Sequence, residues 1–324
     1  MDIQKALSTG IAYHNSGQLK EAERIYRDIL KVANTHPIAL TLLAKLYFTN
    51  GKYNEVKKIL PIVLKHYPEY MKAHVLAGDY YSQVNEYDIA GKAYRRAILL
   101  YPSQAATIIA LGNLIQSNSL QDDKLLSILL CLYRKASIIE PASIPALNNL
   151  AAIYLKLKEP YEALQTLNSV FEVDPQNIRS LAYKTVALMG ADEQSEVDYL
   201  VGFGDLVNSR FLKINEKHGG ISSFNSKLRE VLKRHPNRTS EWDPTKRTII
   251  GGAIVPRLFE HQDPILDILK LSLEKTINQY ISELPSDQNH PFLAINPDKY
   301  SLDIWANFLG PTNYQSGHIH NKGW

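Results

Sequence analysis

The last eight residues, Gly-His-Ile-His-Asn-Lys-Gly-Trp, carry the chain's clearest chemical signal, a pair of histidines. His318 and His320 are two positions apart. On a strand, residues i and i+2 point to the same side of the sheet, with Cβ atoms about 7 Å apart. Two imidazoles at that spacing can contact a single metal ion. The spacing alone favours two surface or turn histidines over a metal site, so it indicates a candidate only.

The segment just before these histidines is predicted to be a half-buried strand, Ser301–Leu309. Leu302, Ile304, Ala306 and Phe308 alternate with Asp303, Trp305 and Asn307, the period-2 pattern of a strand with one face in a core. We hypothesise that Trp305 and Asn307 lie near the bound metal and its cofactor, because their face of the strand is the more polar one. Ordinary packing within the sheet is the alternative role for both.

Further elements are predicted upstream, between residues 195 and 300. Residues 221–232 have the apolar spacing of a helix that ends before Pro236. Thr248–Phe259 is rich in β-forming residues and is expected to bend at Gly251 and Gly252. Asp263-Pro264 begins a helix that runs to about Ile281, with the aspartate as its N-cap. These elements predict an α+β or β-sandwich arrangement.

The first half of the chain repeats itself every 34 residues. Tyrosines at the same repeat position lie 34 apart, and small residues precede each of them by three positions: Tyr13, Tyr47 and Tyr81; Gly10, Ala44 and Gly78. Further columns follow at fixed offsets: Ala22, Val56 and Ala90; Tyr26, Leu60 and Tyr94; Ile29, Val63 and Ala97. The period and the order of small and aromatic residues match the tetratricopeptide repeat. An all-α solenoid of about five such units is therefore expected over residues 1–190.

Two features of this solenoid depart from strict regularity. An insertion of about five residues near Ser117–Asp123 lengthens the turn of the fourth unit. A further helix, about Ile178–Met189, follows the fifth unit and is interpreted as a cap over its last face. Gly17 and Gly51 are expected to end the first helices of their units in the left-handed conformation.

A binding groove is expected on the first helices of the units. Its polar candidates for holding a protein or peptide partner are Asn113, Asn148 and Asn149. Leu7 and Ile11 stand where the lysine and asparagine set that holds a terminal carboxylate begins in some repeats of this type, so no such clamp is predicted. The tyrosines and alanines that recur with the period are expected to be packing residues.

The second half resembles the 2-oxoglutarate/iron(II) oxygenase domain that follows tetratricopeptide repeats in bacterial and phage proteins. The resemblance covers roughly residues 195–324 and is carried by Trp242, Gly251-Gly252, His290-Pro291-Phe292, Trp-Ala-Asn-Phe-Leu and the final eight residues. It implies a double-stranded β-helix (jelly-roll) fold, with Fe(II) and 2-oxoglutarate as cofactor and cosubstrate. It also implies His318 as an iron ligand, with His320 where the wider superfamily has a carboxylate.

In that family, a further strand, a third ligand histidine and a basic residue that pairs with 2-oxoglutarate follow the His-x-His motif. Only Asn321-Lys322-Gly323-Trp324 remain here. A jelly roll has eight strands, and the sequence indicates four at most. We therefore expect that the chain carries only the N-terminal portion of such a domain.

Composition limits the remaining classes of function. The formal charge of +3 comes without a dense basic run, which argues against nucleic acid. No apolar run reaches the length of a membrane span, and the N-terminus lacks a secretory signal, so a cytoplasmic location is expected. The single cysteine, Cys131, lies in an apolar helical stretch and is predicted to be a reduced core residue.

The favoured function is an iron(II)/2-oxoglutarate-dependent dioxygenase, a hydroxylase whose repeats present a protein or peptide substrate. The alternative is a non-catalytic scaffold that uses its repeats to bind a partner. A repeat-fused transferase is a third possibility, but no glycine-rich phosphate loop near a strand-to-helix turn supports it.

Overall fold

A computed structural model describes residues 2–118, 123–202, 206–214, 219–240, 249–250, 252–294, 302–309 and 314–315. The chain divides into two compact units, Met1–Val173 and Asp174–Trp324. Each unit is presented separately below.

The first unit consists of helical hairpins, as the 34-residue period predicts. Consecutive helices pack in pairs. In addition, α3 contacts α5, and α7 contacts α9. Its helices are α1 (Ile3–Asn15), α2 (Leu19–Val32), α3 (Pro37–Thr49), α4 (Tyr53–His66), α5 (Met71–Gln83), α6 (Tyr87–Leu100), α7 (Ala105–Asn118), α8 (Asp123–Ile139), α9 (Ile144–Lys156) and α10 (Pro160–Val173).

One turn geometry closes these hairpins. The predicted left-handed glycines are confirmed, with φ of +77° at Gly17 and +70° at Gly51, and Asn85 and Lys158 adopt the same conformation at the same repeat position. In each case this residue's amide donates to the carbonyl three residues back, and the next amide donates to the carbonyl five residues back. These bonds satisfy carbonyls at the helix end.

The hairpins use two alternative packings where their helices cross. Units with glycine on the first helix place a tyrosine against it, whereas units with alanine have a buried leucine at the repeat position of that tyrosine. The glycine–tyrosine pairs are Gly10–Tyr26, Gly78–Tyr94 and Gly112–Tyr133, and the alanine–leucine pairs are Ala44–Leu60 and Ala151–Leu167. A Cβ at Gly112 would lie 2.6 Å from Cε1 of Tyr133, closer than real Cβ contacts. The ring therefore requires the glycine.

The helix interpreted as a cap is present, but it has a partner of its own. It is α11 (Ile178–Gly190), and it forms a hairpin with α12 (Gln194–Val201) inside the second unit. Asp192 repeats the left-handed turn of the first unit, with both of its hydrogen bonds. Apolar side chains on both helices are buried, so α11 does not end the helical pattern as a cap would.

The rest of the second unit, where described, contains two more helices and four very short strands. They are α13 (Gly220–Arg234), β1 (Ile249–Ile250), β2 (Ala253–Val255), a 3-10 turn (Leu258–Glu260), α14 (Pro264–Glu283), β3 (Ala306–Phe308) and β4 (Tyr314–Gln315). The predicted helices before Pro236 and after Asp263 are confirmed, and Asp263 caps α14 by accepting from the Ile265 amide at 2.8 Å.

The strands do not amount to a jelly roll. They form two antiparallel pairs, with β1 on β4 and β2 on β3, and Thr239 bridges to Ile254 on the other side of β2. The incomplete jelly roll that the resemblance implies is not shown by the described residues. The strand predicted over Ser301–Leu309 is shorter than expected, because only 306–308 make ladder pairs among its described residues, 302–309.

A small core holds these strands. Val255 and Leu266 are buried, and Phe308 packs against them from β3. The predicted alternation is confirmed, since Ile304 packs inward while Asp303 is exposed. Gly252 has a φ of +79° and meets the Phe308 carbonyl so closely that no Cβ would fit, which explains the bend predicted there.

The prediction for Cys131 is wrong, because its side chain is exposed. Helix α8 buries Leu129, Tyr133 and Ala136. Cys131 lies two residues after Leu129, about 200° around the helix, so it faces away from that stripe. None of the described helices is both long enough and apolar enough to cross a bilayer.

Candidate functional site

A row of polar side chains follows the first helices of the hairpins. We call it the first-helix face and define it as His14, Lys45, Asp79, Asn113 and Asn149. Lys45 and Asn113 are exposed, and the other three are half-buried. Lys45, Asp79 and Asn113 lie 34 residues apart and occupy one repeat position.

Lys45 links the first three units electrostatically. Burial lowers the pKa of His14, and the charge of Lys45 lowers it further. Burial also raises the pKa of the Asp79 carboxyl, while the Tyr94 hydroxyl and Lys45 partly offset that rise. His14 and Asp79 belong to different helices, so the charge of Lys45 acts on groups from both neighbouring units.

Tyrosines from the second helices support this row from below. The Tyr94 hydroxyl donates to Oδ1 of Asp79 at 2.6 Å, and the Tyr133 hydroxyl donates to Oδ1 of Asn113 at 2.9 Å. Burial raises the pKa of both phenols far above the usual range, so they remain donors at all physiological pH values. The same rings are those that require a glycine, which ties the packing of the hairpin to the position of the polar groups.

Two of the three predicted groove residues come together. Nδ2 of Asn149 donates to Oδ1 of Asn113 at 2.8 Å, although the two residues are 36 positions apart. Asn113 thus accepts from both Tyr133 and Asn149, and these two bonds fix its side chain. Asn148 is only 3% exposed and is part of the packing between helices rather than of the open surface.

The sequence reasoning missed Lys45, Asp79 and His14. The signal was available for Lys45 and Asp79, because each directly follows the small residue of its repeat, as Asn113 does. His14 follows Tyr13 and is marked by no such regularity.

The predicted metal ligands His318 and His320 lie outside the described residues. Trp305 is 39% exposed in the segment leading into β3, and Asn307 lies within β3 opposite Ile254. Within the described ranges, no group of three His, Cys, Asp or Glu side chains is arranged to hold a metal ion.

Two other histidines of the second unit are buried with both ring nitrogens engaged. Nε2 of His290 lies 2.9 Å from the Tyr199 carbonyl, and its Nδ1 accepts from the Phe292 amide at 3.2 Å. Nε2 of His235 likewise lies 3.2 Å from the Leu258 carbonyl, and Asn237 donates to its Nδ1. Both rings therefore tie loops together and offer no free nitrogen to a ligand.

Comparison with known proteins agrees with the repeat geometry. The family model for the tetratricopeptide repeat (TPR) matches residues 72–104 and 144–177. These two segments are TPRs. The first contains Asp79 and Tyr94, and the second contains Asn149. No functionally curated protein matches the sequence.

Several solved structures align with this chain. PilF of Pseudomonas aeruginosa aligns with a TM-score of 0.54 at 16% identity, over 70% of this chain and 97% of that one. A thermophilic TPR protein of Thermus thermophilus aligns with a TM-score of 0.45 at 18% identity, over 58% of this chain and 99% of that one. YrrB, a TPR protein with an unusual peptide-binding site, aligns with a TM-score of 0.44 at 17% identity, over 55% of this chain and 90% of that one. At such identity the likeness to PilF concerns the fold.

Proposed function

We propose that this protein is a TPR scaffold that binds an extended segment of a partner protein along the first-helix face. The supporting observation is the fixed polar row, in which Asp79 and Asn113 are each held by a buried tyrosine hydroxyl. Pre-positioned donors and acceptors lose little side-chain entropy on binding. Stacked helical repeats use such extended surfaces to hold partners.

The chemistry of the row suggests what the partner presents. An extended peptide exposes one amide N–H and one carbonyl per residue. The side-chain amides of Asn113 and Asn149 can both donate to and accept from such groups. Lys45 and Asp79 add one charge of each sign, which sets the direction and register of the bound segment. The row therefore fits a polar, extended segment rather than an apolar helix.

A peptide selection tests this proposal. Full-length protein would be used to select binders from a phage-displayed random peptide library, and the best clone would be measured as a synthetic peptide. We expect Asn113→Ala and Lys45→Ala each to weaken its binding about tenfold, because each removes a charged or fixed polar contact worth about 1.5 kcal/mol. Fluorescence anisotropy gives the affinities.

The matched control is Lys135→Ala, which removes an equally exposed ammonium from the second helix α8. It should leave peptide affinity unchanged. Failure to enrich any peptide, or equal loss of affinity in Lys45→Ala and Lys135→Ala, would reject the first-helix face as the docking surface.

The iron(II)/2-oxoglutarate dioxygenase function stays a prediction from the sequence. Its proposed ligands, His318 and His320, are outside the described residues, and no described feature of the second unit favours it over the scaffold function.

A further inference from the structure

A cavity of about 450 Å³ lies within the second unit, between residues 206–214 and the C-terminal half of α14. The Tyr280 hydroxyl fastens this segment to the helix by donating to the Leu206 carbonyl, and Arg210 forms an ion pair with Glu283. The guanidinium of Arg210 also lies 5.7 Å from the centre of the Tyr280 ring. The volume is in the range of small-molecule sites.

Cationic groups dominate the lining of this cavity. Arg210, Lys213 and Lys275 face it, against the single carboxylate of Glu283. Glu283 is half exposed, and solvent screens an ion pair at that exposure. It therefore leaves much of the local positive potential available to an incoming anion.

Arg210 carries an unused donor. Its Nε is buried and has no hydrogen-bond partner among the described residues. A buried N–H without an acceptor is unfavourable, and a bound anion would supply the acceptor. Arginine with flanking lysines is a combination suited to a phosphoryl group, which accepts several charge-assisted hydrogen bonds at once.

Phe211 lines the same cavity and is 98% exposed. A phenyl ring left in water next to a cationic pocket is available to stack on a planar ring. Bases stack favourably on aromatic side chains, and Phe211 and Arg210 line the same cavity, so one ligand can contact both.

We propose that this cavity binds a small phosphorylated molecule that carries a planar ring, of the nucleotide class. The phosphoryl group lies against Arg210, Lys213 and Lys275, and the ring stacks on Phe211. This site is independent of the peptide-docking surface proposed for the repeats.

Isothermal titration calorimetry of the full chain at low salt tests the site, with AMP and inorganic phosphate as probes. We expect AMP to bind more tightly than phosphate. Lys275→Ala and Lys213→Ala should each weaken the binding of both probes at least about fivefold. Each exposed ammonium binds the phosphoryl group, which AMP and phosphate share. Phe211→Ala should weaken AMP about tenfold and leave phosphate unchanged.

The control is Lys270→Ala, which removes one ammonium from the same helix at a position over the Phe259 ring. It should alter neither affinity. The proposal is overturned if AMP gives no binding, if the Lys213 and Lys275 variants bind like the control, or if Phe211→Ala leaves AMP affinity intact.

Discussion

At the scale of single residues, the first-helix face shows how one repeat position can carry different chemistry on the same support. Asp79 and Asn113 occupy that position in successive hairpins, and each accepts from a buried tyrosine. The two side chains have the same shape, so they differ mainly in charge. Burial raises the pKa of Asp79, which means that its ionised form is disfavoured in the folded protein.

The retention of a carboxylate at position 79 is expected to reduce stability. A carboxyl whose pKa is higher in the folded protein than in the unfolded chain adds its full stability only below the unfolded pKa, which is near 3.9. This contribution is lost as pH rises through the pKa of the folded protein. We predict that Asp79→Asn, which keeps an acceptor for Tyr94, raises the thermal midpoint at pH 7. The gain should shrink towards pH 4.5, as the wild-type carboxyl takes up a proton.

Thermal unfolding of the full chain, followed by circular dichroism between pH 8 and pH 4.5, measures this effect. The converse substitution Asn113→Asp is the matched control, and it should change the midpoint at pH 7 much less, because that side chain is exposed and its Oδ1 accepts from two donors. A pH-independent loss of stability in Asp79→Asn would show that the hydrogen bond, rather than the buried charge, dominates. Such a result would remove the reason to regard Asp79 as a residue kept for binding.

At the scale of elements, the hairpins are built from two interchangeable crossings. A glycine on the first helix accepts a tyrosine ring, and an alanine accepts a leucine. The tyrosine version also delivers a hydroxyl to the first-helix face, so the choice of packing pair decides which units present a supported polar group. Tyr26, Tyr94 and Tyr133 reach His14, Asp79 and Asn113 in this way, whereas Leu60 and Leu167 cannot donate.

The pairing predicts strong coupling between Gly112 and Tyr133. Gly112→Ala would place a Cβ 2.6 Å from the ring, and we expect a loss of about 1–3 kcal/mol in the free energy of unfolding from overpacking. Tyr133→Leu alone should cost about 2 kcal/mol through the cavity it leaves. The double variant recreates the natural pair Ala151–Leu167.

Urea unfolding of the wild type, both single variants and the double variant gives the interaction energy. We expect the double variant to be more stable than the sum of the single effects by at least about 0.5 kcal/mol. Strict additivity would contradict the idea that the two crossings are alternatives.

At the scale of the whole molecule, the two units differ in how much of their structure the sequence could predict. The first unit is built from contacts between neighbouring helices, so its period, its left-handed glycines and its five hairpins could all be predicted. Asn85 and Lys158 were missed at the left-handed position because their residue types do not require it. Asn148 was wrongly predicted to line the groove, because the period does not distinguish the buried side of α9 from its open side.

The second unit depends on pairings that local patterns do not encode. Thr239, Ile254 and Asn307 align across one small sheet although they are distant in sequence. Alternation in residues 301–309 correctly predicted which side chains face the core, but it did not predict that only three residues would pair. The resemblance to an oxygenase implied a jelly roll that the described strands do not show.

This difference predicts that a single substitution can disturb the second unit alone. Gly252→Ala would force a Cβ into the Phe308 carbonyl at a φ of +79°, and we expect a loss of more than about 2 kcal/mol. Gly220→Ala is the matched control, because Gly220 has a φ of +72° with open space around its Cβ position. It should suffer only the smaller backbone strain.

Hydrogen exchange read by mass spectrometry separates these effects along the chain. In Gly252→Ala, amides of residues 253–255 and 306–308 should lose protection, while α1 to α10 keep theirs, since the core and turns of those helices are formed within the first unit. Loss of protection throughout the repeats would contradict this, because it would require the repeats to depend on the small sheet for their stability.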